Sequence, residues 1–260
     1  MLRDFYTALN VVKIVLAVDL ACTESDFDKE GVFIYQAKEL PGRRKFPFRE
    51  KTLIAATMGR SVIVSCCAER QRWARINLSG LARDDIYTAY IIGRMDSYVK
   101  RDGQCMAGPD LKYICTPDIF HPCAPVKEVK ISLNEGETPA DLYQGSRFTN
   151  ALGFAPNPLR PRVVTAVARL NGEIAGVAAA CADCDIMWQI GVDTLPEYRR
   201  RGIGKALVGA VTQHILDKGK LPYYSTSIAN IASRGTAAAL GYKPAWVELY
   251  AREMPPSVGA

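Results

Sequence analysis

Histidine is nearly missing from this sequence: His121 and His214 are the two in 260 residues. His214 falls in an amphipathic helical pattern, where a structural or surface role is expected. Long apolar runs are missing too. The longest uninterrupted one is Ile174 to Ala182, far short of the ~20 residues that span a bilayer. The apolar run from Val11 to Cys22 is broken by Lys13 and Asp19 and carries no small-residue cleavage site. It does not read as a signal peptide. Neither sign of charge dominates, with Lys+Arg 33 against Asp+Glu 27 and a net +6. That balance gives a modest attraction to anions and does not make a nucleic-acid binder. The densest basic run of the first half is Arg43, Arg44, Lys45, Arg49 and Lys51, with Phe46 and Phe48 interleaved. Lying between Pro41-Gly42 and Pro47, it reads as a solvated loop, with a nucleic-acid footprint as the alternative.

What is present is ordinary globular composition, 48% apolar and 23% charged, which excludes disorder for the bulk of the chain. Eight cysteines in a chain this long are no disulfide scaffold, and without an export signal reduced thiols in a cytoplasm are expected. Cys181-x-x-Cys184 has the spacing of half a zinc site. Among the remaining thiols, Cys115 and Cys123 flank His121 and Cys66 and Cys67 are adjacent, which gives no well-spaced second pair, so no metal is expected.

Three prolines in Thr116–Val126 (Pro117, Pro122, Pro125) mark a linker, placing one domain at 1–125, a second at 126–254 and a frayed tail at 255–260. In the first half, Gly31–Ala37, Thr52–Met58 and Ser61–Cys66 read as strands, the last two as a hairpin, and Ala68–Asn77 and Arg83–Val99 read as helices. This half is α+β and shows no catalytic motif. In the second, Lys127–Leu133 is a strand. Thr138-Pro-Ala-Asp141 opens a helix, with Thr138 as N-cap. Val163–Leu170 and Glu173–Cys181 are joined by Asn171-Gly172, a type I′ turn dipeptide. Ile186–Asp193 is the next strand.

The informative stretch follows: Tyr198-Arg-Arg-Arg-Gly-Ile-Gly-Lys-Ala-Leu-Val208. A strand ends, a glycine loop intervenes, and a helix begins, with Leu207, Val211 and Ile215 on one face. Gly202 and Gly204 let a backbone approach a ligand closely. The free N–H groups of the first helical turn and the helix dipole make an anion site, beside Arg199, Arg200, Arg201 and Lys205. Arg200-x-Gly202-x-Gly204 in this setting resembles the pyrophosphate loop of the GNAT superfamily of N-acetyltransferases. Pro222–Ser227 can form the next strand. Asn230 then precedes a small-residue helix ending in Gly241-Tyr242, eleven residues on, as in the family's last helix motif. The resemblance is specific over Ile186–Tyr242 and covers about Val126 to Met254.

The resemblance implies an α/β (α+β) fold: a GNAT-like mixed, splayed sheet flanked by helices, behind an N-terminal α+β domain. It implies acetyl-CoA as co-substrate and a primary amine of a small molecule or peptide as acceptor, with no metal, nucleic acid or membrane partner. The splay would leave backbone groups near Ile190, Val192 and Thr194 for the pantetheine amides. Arg199, Arg200, Arg201, Gly202, Ile203, Gly204, Lys205 and Ala206 would hold the pyrophosphate, mostly through main-chain N–H groups. Asn230 would contact the pantetheine arm, or serve as an N-cap.

Two departures stand out. The loop is led in by Thr194-Leu-Pro196 where the family has Val-x-Pro, a mild change. The family's general-acid tyrosine, seven residues after the asparagine, is Ala237 here. Tyr223, Tyr224, Tyr242 and Ser233 are candidate replacements. Asp185 is a candidate base, or a turn aspartate; Asp193 is expected to cap a loop. A ping-pong route through Cys181 or Cys184 is the alternative to direct transfer. A catalytically silent acyl-CoA sensor is the alternative function.

Overall fold

The computed structural model describes residues 4–45 and 50–254. Phe46, Pro47, Phe48 and Arg49 of the basic run, and the tail from Pro255, lie outside the described residues. In chain order the elements are α1 (Phe5–Leu20), β1 (Gly31–Gln36), β2 (Leu53–Thr57), β3 (Ser61–Cys66), α2 (Ala68–Leu78), α3 (Arg83–Ile86), α4 (Ala89–Val99) and β4 (Gln104–Ile114). After them come β5 (Val129–Glu135), α5 (Thr149–Leu152), β6 (Arg162–Leu170), β7 (Glu173–Ala182), β8 (Met187–Thr194), α6 (Ile203–Asp217), β9 (Leu221–Ser227), α7 (Ile231–Ala239) and β10 (Lys243–Glu253).

Packing divides the chain into two units. One comprises 9–112, 227–229 and the residues from Ala245 on; the other comprises the residues up to Ala8, 113–226 and 230–244. The proline-rich stretch read as a linker lies inside the second unit. Thr116 is fully buried there, Cys115 N–H donates to Pro222 O at 3.3 Å, and His121 N–H donates to Leu240 O at 3.0 Å. These backbone bonds, made to residues over a hundred positions away, fix the segment that the prolines alone mark as a break.

In the first unit the strand order is β1-β3-β2-β10-β4. β2 and β3 form the expected hairpin, from Leu53↔Cys66 to Ala56↔Ile63. β1 runs parallel to β3 along its whole length, Gly31↔Ser61 to Gln36↔Cys66. Val62, Val64 and Cys66, alternate residues of β3, bury against Ala74 and Leu78 of α2 and Met95 and Val99 of α4. Each such large apolar side chain contributes about 1.5–3 kcal/mol. The helix expected over Arg83–Val99 is two helices. Thr88 interrupts them because its hydroxyl caps α4, accepting from Ile91 N–H, a bond that needs extended backbone at the cap. The basic run is not wholly solvated either. Arg44 is buried, bonded to Asp19 and, at 2.7 Å, to Glu248, and Lys51 pairs with Asp102 at 2.8 Å.

The second unit orders its strands β9-β8-β7-β6-β5. β5 to β8 form an antiparallel meander, and the Asn171-Gly172 turn has φ of +51° and +88° as type I′ requires. Val177 and Ala179 of β7 bury under Leu142, Phe148, Ala151 and Leu152. On the opposite face Gly176 lies against Leu207 of α6, whose Leu207, Val211 and Ile215 are fully buried. Thr138 is not an N-cap: Pro139 caps the one-turn 3-10 helix Ala140–Ser146. The Thr138 hydroxyl instead bonds the buried Thr165 hydroxyl at 2.8 Å, a long-range partner that outweighs the local cap.

Candidate acyl-CoA cleft

β8 and β9 are parallel neighbours for only half their length. The register runs Met187↔Leu221, Trp188↔Pro222, Gln189↔Tyr223 and Ile190↔Tyr224, and stops there. Beyond Ile190 the strands part, while β8 stays paired with β7 as far as Thr194↔Gly176. One edge of Gly191–Thr194 therefore carries backbone donors and acceptors that β9 does not satisfy. Buried groups of that kind require partners.

The loop after β8 closes one side of this opening. Gly202 is the N-cap of α6 with φ +79°, a conformation cheap for glycine and costly for other residues. Arg200 also has positive φ, +60°. The first α6 amide to find a backbone partner is Ala206, bonded to Gly202 O at 3.0 Å. The amides of residues 203–205 precede it at the positive end of the dipole. Gly204 is needed for a different reason: a Cβ there would sit 3.1 Å from Thr194 Oγ1. Arg199 Nε–H donates to Thr194 O at 3.2 Å, tying the loop to the end of β8.

A cavity of about 570 Å³ lies here, bordered by Val192, Thr194, Arg199, Arg200, Gly202, Ile203, Gly204, Lys205 and Asn230 among others. A second of about 260 Å³, bordered by Gln189, Ile190, Gly191, Val192, Ser225, Asn230 and Ser233, occupies the divergence itself. Asn150 and Tyr224 border both. Arg201 and Ala206, expected beside the pyrophosphate, border neither: Arg201 stacks over the Tyr198 ring at 5.8 Å, and Ala206 faces a separate groove along α6. Asn230 caps α7, its Oδ1 accepting from Ser233 N–H at 3.1 Å, and the residue borders both cavities.

Among the candidate acids, Tyr242 is buried with its hydroxyl 2.6 Å from Thr212 Oγ1, and Tyr223 directs its hydroxyl to the buried Asp183. Tyr224 alone of the three tyrosines borders the cleft. Burial raises its pKa above the phenolic range, helped by the Asp193 charge and opposed by a hydrogen bond with Ser233, so it is a neutral proton donor at physiological pH. Asp185 is exposed in the β7–β8 turn and borders neither cavity. The buried carboxylate of that turn is Asp183, engaged by Arg160 at 2.8 Å. Asp193 does tie down a loop, accepting from Asn150 N–H at 2.8 Å and Ala151 N–H at 2.9 Å. Cys181 is buried beside Arg162, burial raising its thiol pKa against the two arginines that lower it. That makes it a poor nucleophile. Among the described residues no group of three or more His, Cys, Asp or Glu side chains is placed to hold a metal ion.

Asn150 and Gln189 carry no local sequence signal as site residues, because the partners that place them are 43 and 29 positions away.

Residues 132–242 match the model of the Acetyltransferase (GNAT) family, and this part of the chain is a GNAT segment. Membership implies binding of an acyl-CoA. Among solved structures, a GCN5-related N-acetyltransferase from Kribbella flavida aligns at 19% identity over 62% of this chain and 65% of its own, with a TM-score of 0.47. A tandem GNAT protein from the clavulanic acid biosynthesis pathway aligns at 14% over 62% of this chain and 58% of its own, TM-score 0.44. A Drosophila protein from a structural genomics consortium aligns at 13% over 98% of this chain and 92% of its own, TM-score 0.50. At such identities the last likeness speaks to fold alone. This chain thus spans under two thirds of the Kribbella and clavulanic-pathway chains. No curated protein matches the sequence.

Proposed function

We propose that the GNAT segment is an N-acetyltransferase that moves an acetyl group from acetyl-CoA to a primary amine by direct attack. The observation that carries this reading is the abrupt end of β8–β9 pairing at Ile190↔Tyr224, beside a glycine loop that opens a helix. Acetyl-CoA fits the residues present. The amides of 203–205, with Arg199, Arg200 and Lys205, form an anion cradle. The unpaired edge of β8 offers amide partners, and the cavity between them is of ligand size. The strain of a positive-φ arginine at the cradle is of a kind that collects at ligand sites.

Acetyl-CoA supplies the thioester. The new bond joins amine nitrogen to acetyl carbon as the carbon–sulfur bond breaks; one proton leaves the amine and one is taken up by the thiolate. A backbone N–H of β8 near Ile190 stabilises the oxyanion, and Tyr224 gives its proton to the departing sulfur. Among the described residues the only carboxylate bordering either cavity is Asp193, already engaged by Asn150 and Ala151, so the amine enters neutral and its proton passes to water.

A catalytically silent acyl-CoA sensor is favoured by one feature, Ala237 at the position of the family's acid. Tyr224 answers that feature. Melting in acetyl-CoA tests binding: at about 100 times Kd the fold should gain roughly 2.7 kcal/mol, a shift of a few degrees. Thiol release across an amine panel tests transfer. No shift at millimolar acetyl-CoA would sink both readings; a shift without turnover on any amine would leave the sensor.

A further inference from the structure

We infer that the acceptor amine carries a hydrogen-bond-accepting oxygen close to its nitrogen, as an α-amino acid or its amide does, and that Asn150 and Gln189 read the two groups. This deepens the acetyl-transfer reading and rests on it.

Side-chain amides are ambiguous until their neighbours fix which end is which. Here both are fixed. Arg160 Nη2 lies 2.9 Å from Gln189 Oε1, and a guanidinium can only donate. The Gln189 oxygen is therefore taken and its Nε2 is left to donate. Asn150 Nδ2 lies 2.6 Å from Asp193 Oδ1, and a carboxylate can only accept. The Asn150 nitrogen is taken and its Oδ1 is left to accept. Both residues border the smaller cavity, which thus presents one oriented acceptor and one oriented donor.

Their placement is fixed from beneath. Cys181, Gln189 and Tyr223 stand side by side in register, on the sheet face that carries α5. Asp183, fully buried, engages both Arg160 and Tyr223, so the guanidinium that orients Gln189 is itself held. Ala180, Ile190 and Tyr224 stand on the opposite face. The proton donor for the thiolate and the two amides therefore approach the cleft from opposite sides of the sheet, so the amine and the departing sulfur are served by separate groups.

The same lining excludes other amines. Of the nearby carboxylates, Asp193 has both oxygens engaged and Asp183 is fully buried and held by Arg160 and Tyr223, so a second ammonium of a diamine meets no available counter-charge. The volume of about 260 Å³ and the polar lining suit a small acceptor better than an arylalkylamine. The neutral amine donates to Asn150 Oδ1, and the neighbouring oxygen accepts from Gln189 Nε2.

The test compares glycinamide, ethylamine, putrescine and phenethylamine as acceptors by kcat/KM, with glycinamide titrated calorimetrically into CoA-saturated protein. With each kcat/KM referred to the concentration of neutral amine, since an α-amino amide is far less basic than an alkylamine, glycinamide should exceed ethylamine by about tenfold or more, as expected where a buried donor goes unpaired with the wrong substrate. Gln189→Glu keeps an acceptor for Arg160 and removes the donor, at the cost of a new negative charge. It should bring the glycinamide-to-ethylamine ratio close to one, through KM, with CoA affinity retained. Gln189→Leu should do the same and guards against an effect of the new charge. Equal use of glycinamide and ethylamine by the wild type, or an unchanged ratio in both variants, would overturn the inference while leaving acetyl transfer intact. If no amine is acetylated, calorimetry decides: binding of glycinamide that is lost in both variants supports the acceptor assignment, and no binding overturns it. Failure of CoA itself to bind would overturn the acetyl-transfer reading and this one together.

Discussion

A single methyl group on Gly191 should separate acceptor handling from CoA binding. Gly191 follows the last paired residue of β8, and a Cβ there would lie 2.1 Å from Asn150 O, 2.9 Å from Asn150 C and 3.1 Å from Ala151 Cα. All three are backbone atoms, so no side chain can swing aside. In Gly191→Ala, α5 must retreat by about 1 Å to reach ordinary contact. The hydrogen bonds on Asp193, now 2.8, 2.6 and 2.9 Å, would stretch beyond the useful range. Overpacking of this kind costs about 1–3 kcal/mol, and weakened bonds to a charged acceptor, partly replaced by water, raise the total to roughly 2–4 kcal/mol. Urea unfolding should show a lower midpoint at constant m. CoA affinity should persist, because the added methyl meets α5 and leaves the loop, α6 and the backbone edge of β8 in place, while amine acetylation falls because Asn150 has moved. A variant within about 0.5 kcal/mol of wild type would refute the reasoning, since it would mean that α5 is not seated on β8 as described.

Gly202→Glu should lower CoA affinity at least ~tenfold, about 1.4 kcal/mol. Gly219→Glu carries a similar positive-φ strain (φ +67°, against +79° at Gly202) in open space at the far end of α6 and should leave affinity unchanged, so an equal loss in both by calorimetry would mean that the glycines serve backbone shape only. Tyr224→Phe should cut turnover about 10²-fold with CoA affinity retained; an unchanged kcat would remove Tyr224 from the chemistry. Burial would raise the pKa of Glu248, yet Lys112 and Arg44 hold it at about 2, below the ordinary 4.5. The carboxylate therefore stabilises the fold above about pH 4.5, and that contribution, about 3 kcal/mol, is lost as pH falls toward 2. Urea midpoints of wild type and Glu248→Gln should converge over that window, and parallel curves would refute the pairing.

The parts legible in the sequence are those whose causes are local. The α6 loop was readable because glycines, arginines and a helix start are contiguous, and the β6–β7 hairpin because Asn171-Gly172 dictates its own turn. Where a distant residue decides, the pattern misleads. Asp19 interrupts the apolar period of α1, yet it lies buried because Arg44 reaches it from 25 positions away; no helix was evident there. Thr138 has every mark of an N-cap and is claimed by Thr165. β10 has no signature of its own and is held by its register with β2, Val247↔Thr57 to Tyr250↔Ile54. The cleft followed the same rule: its phosphate side could be read, whereas Asn150 and Gln189 acquire meaning only through Asp193 and Arg160.

Among the described residues, strands run into helix N-termini at β3–α2, β8–α6 and β9–α7, and comparing the first two shows what makes one a site. β3 leads through Cys67 into α2, and β8 leads through the arginine loop into α6. At α2 the cap residue is extended, with no glycine, and Glu69 in the first turn supplies the anion that the helix dipole favours. At α6 the first turn has no acid, and three arginines and Lys205 surround it. The sheets differ in the same sense. β3 is paired by β1 at all six positions, so no backbone edge is left for a ligand, whereas β8 loses β9 after Ile190. An anion site thus coincides with unsatisfied strand groups at α6 and not at α2. That coincidence, more than the glycine spacing, separates a pantetheine-and-phosphate cleft from a tight turn, and it predicts that closing the edge of β8 would abolish CoA binding even with the loop intact.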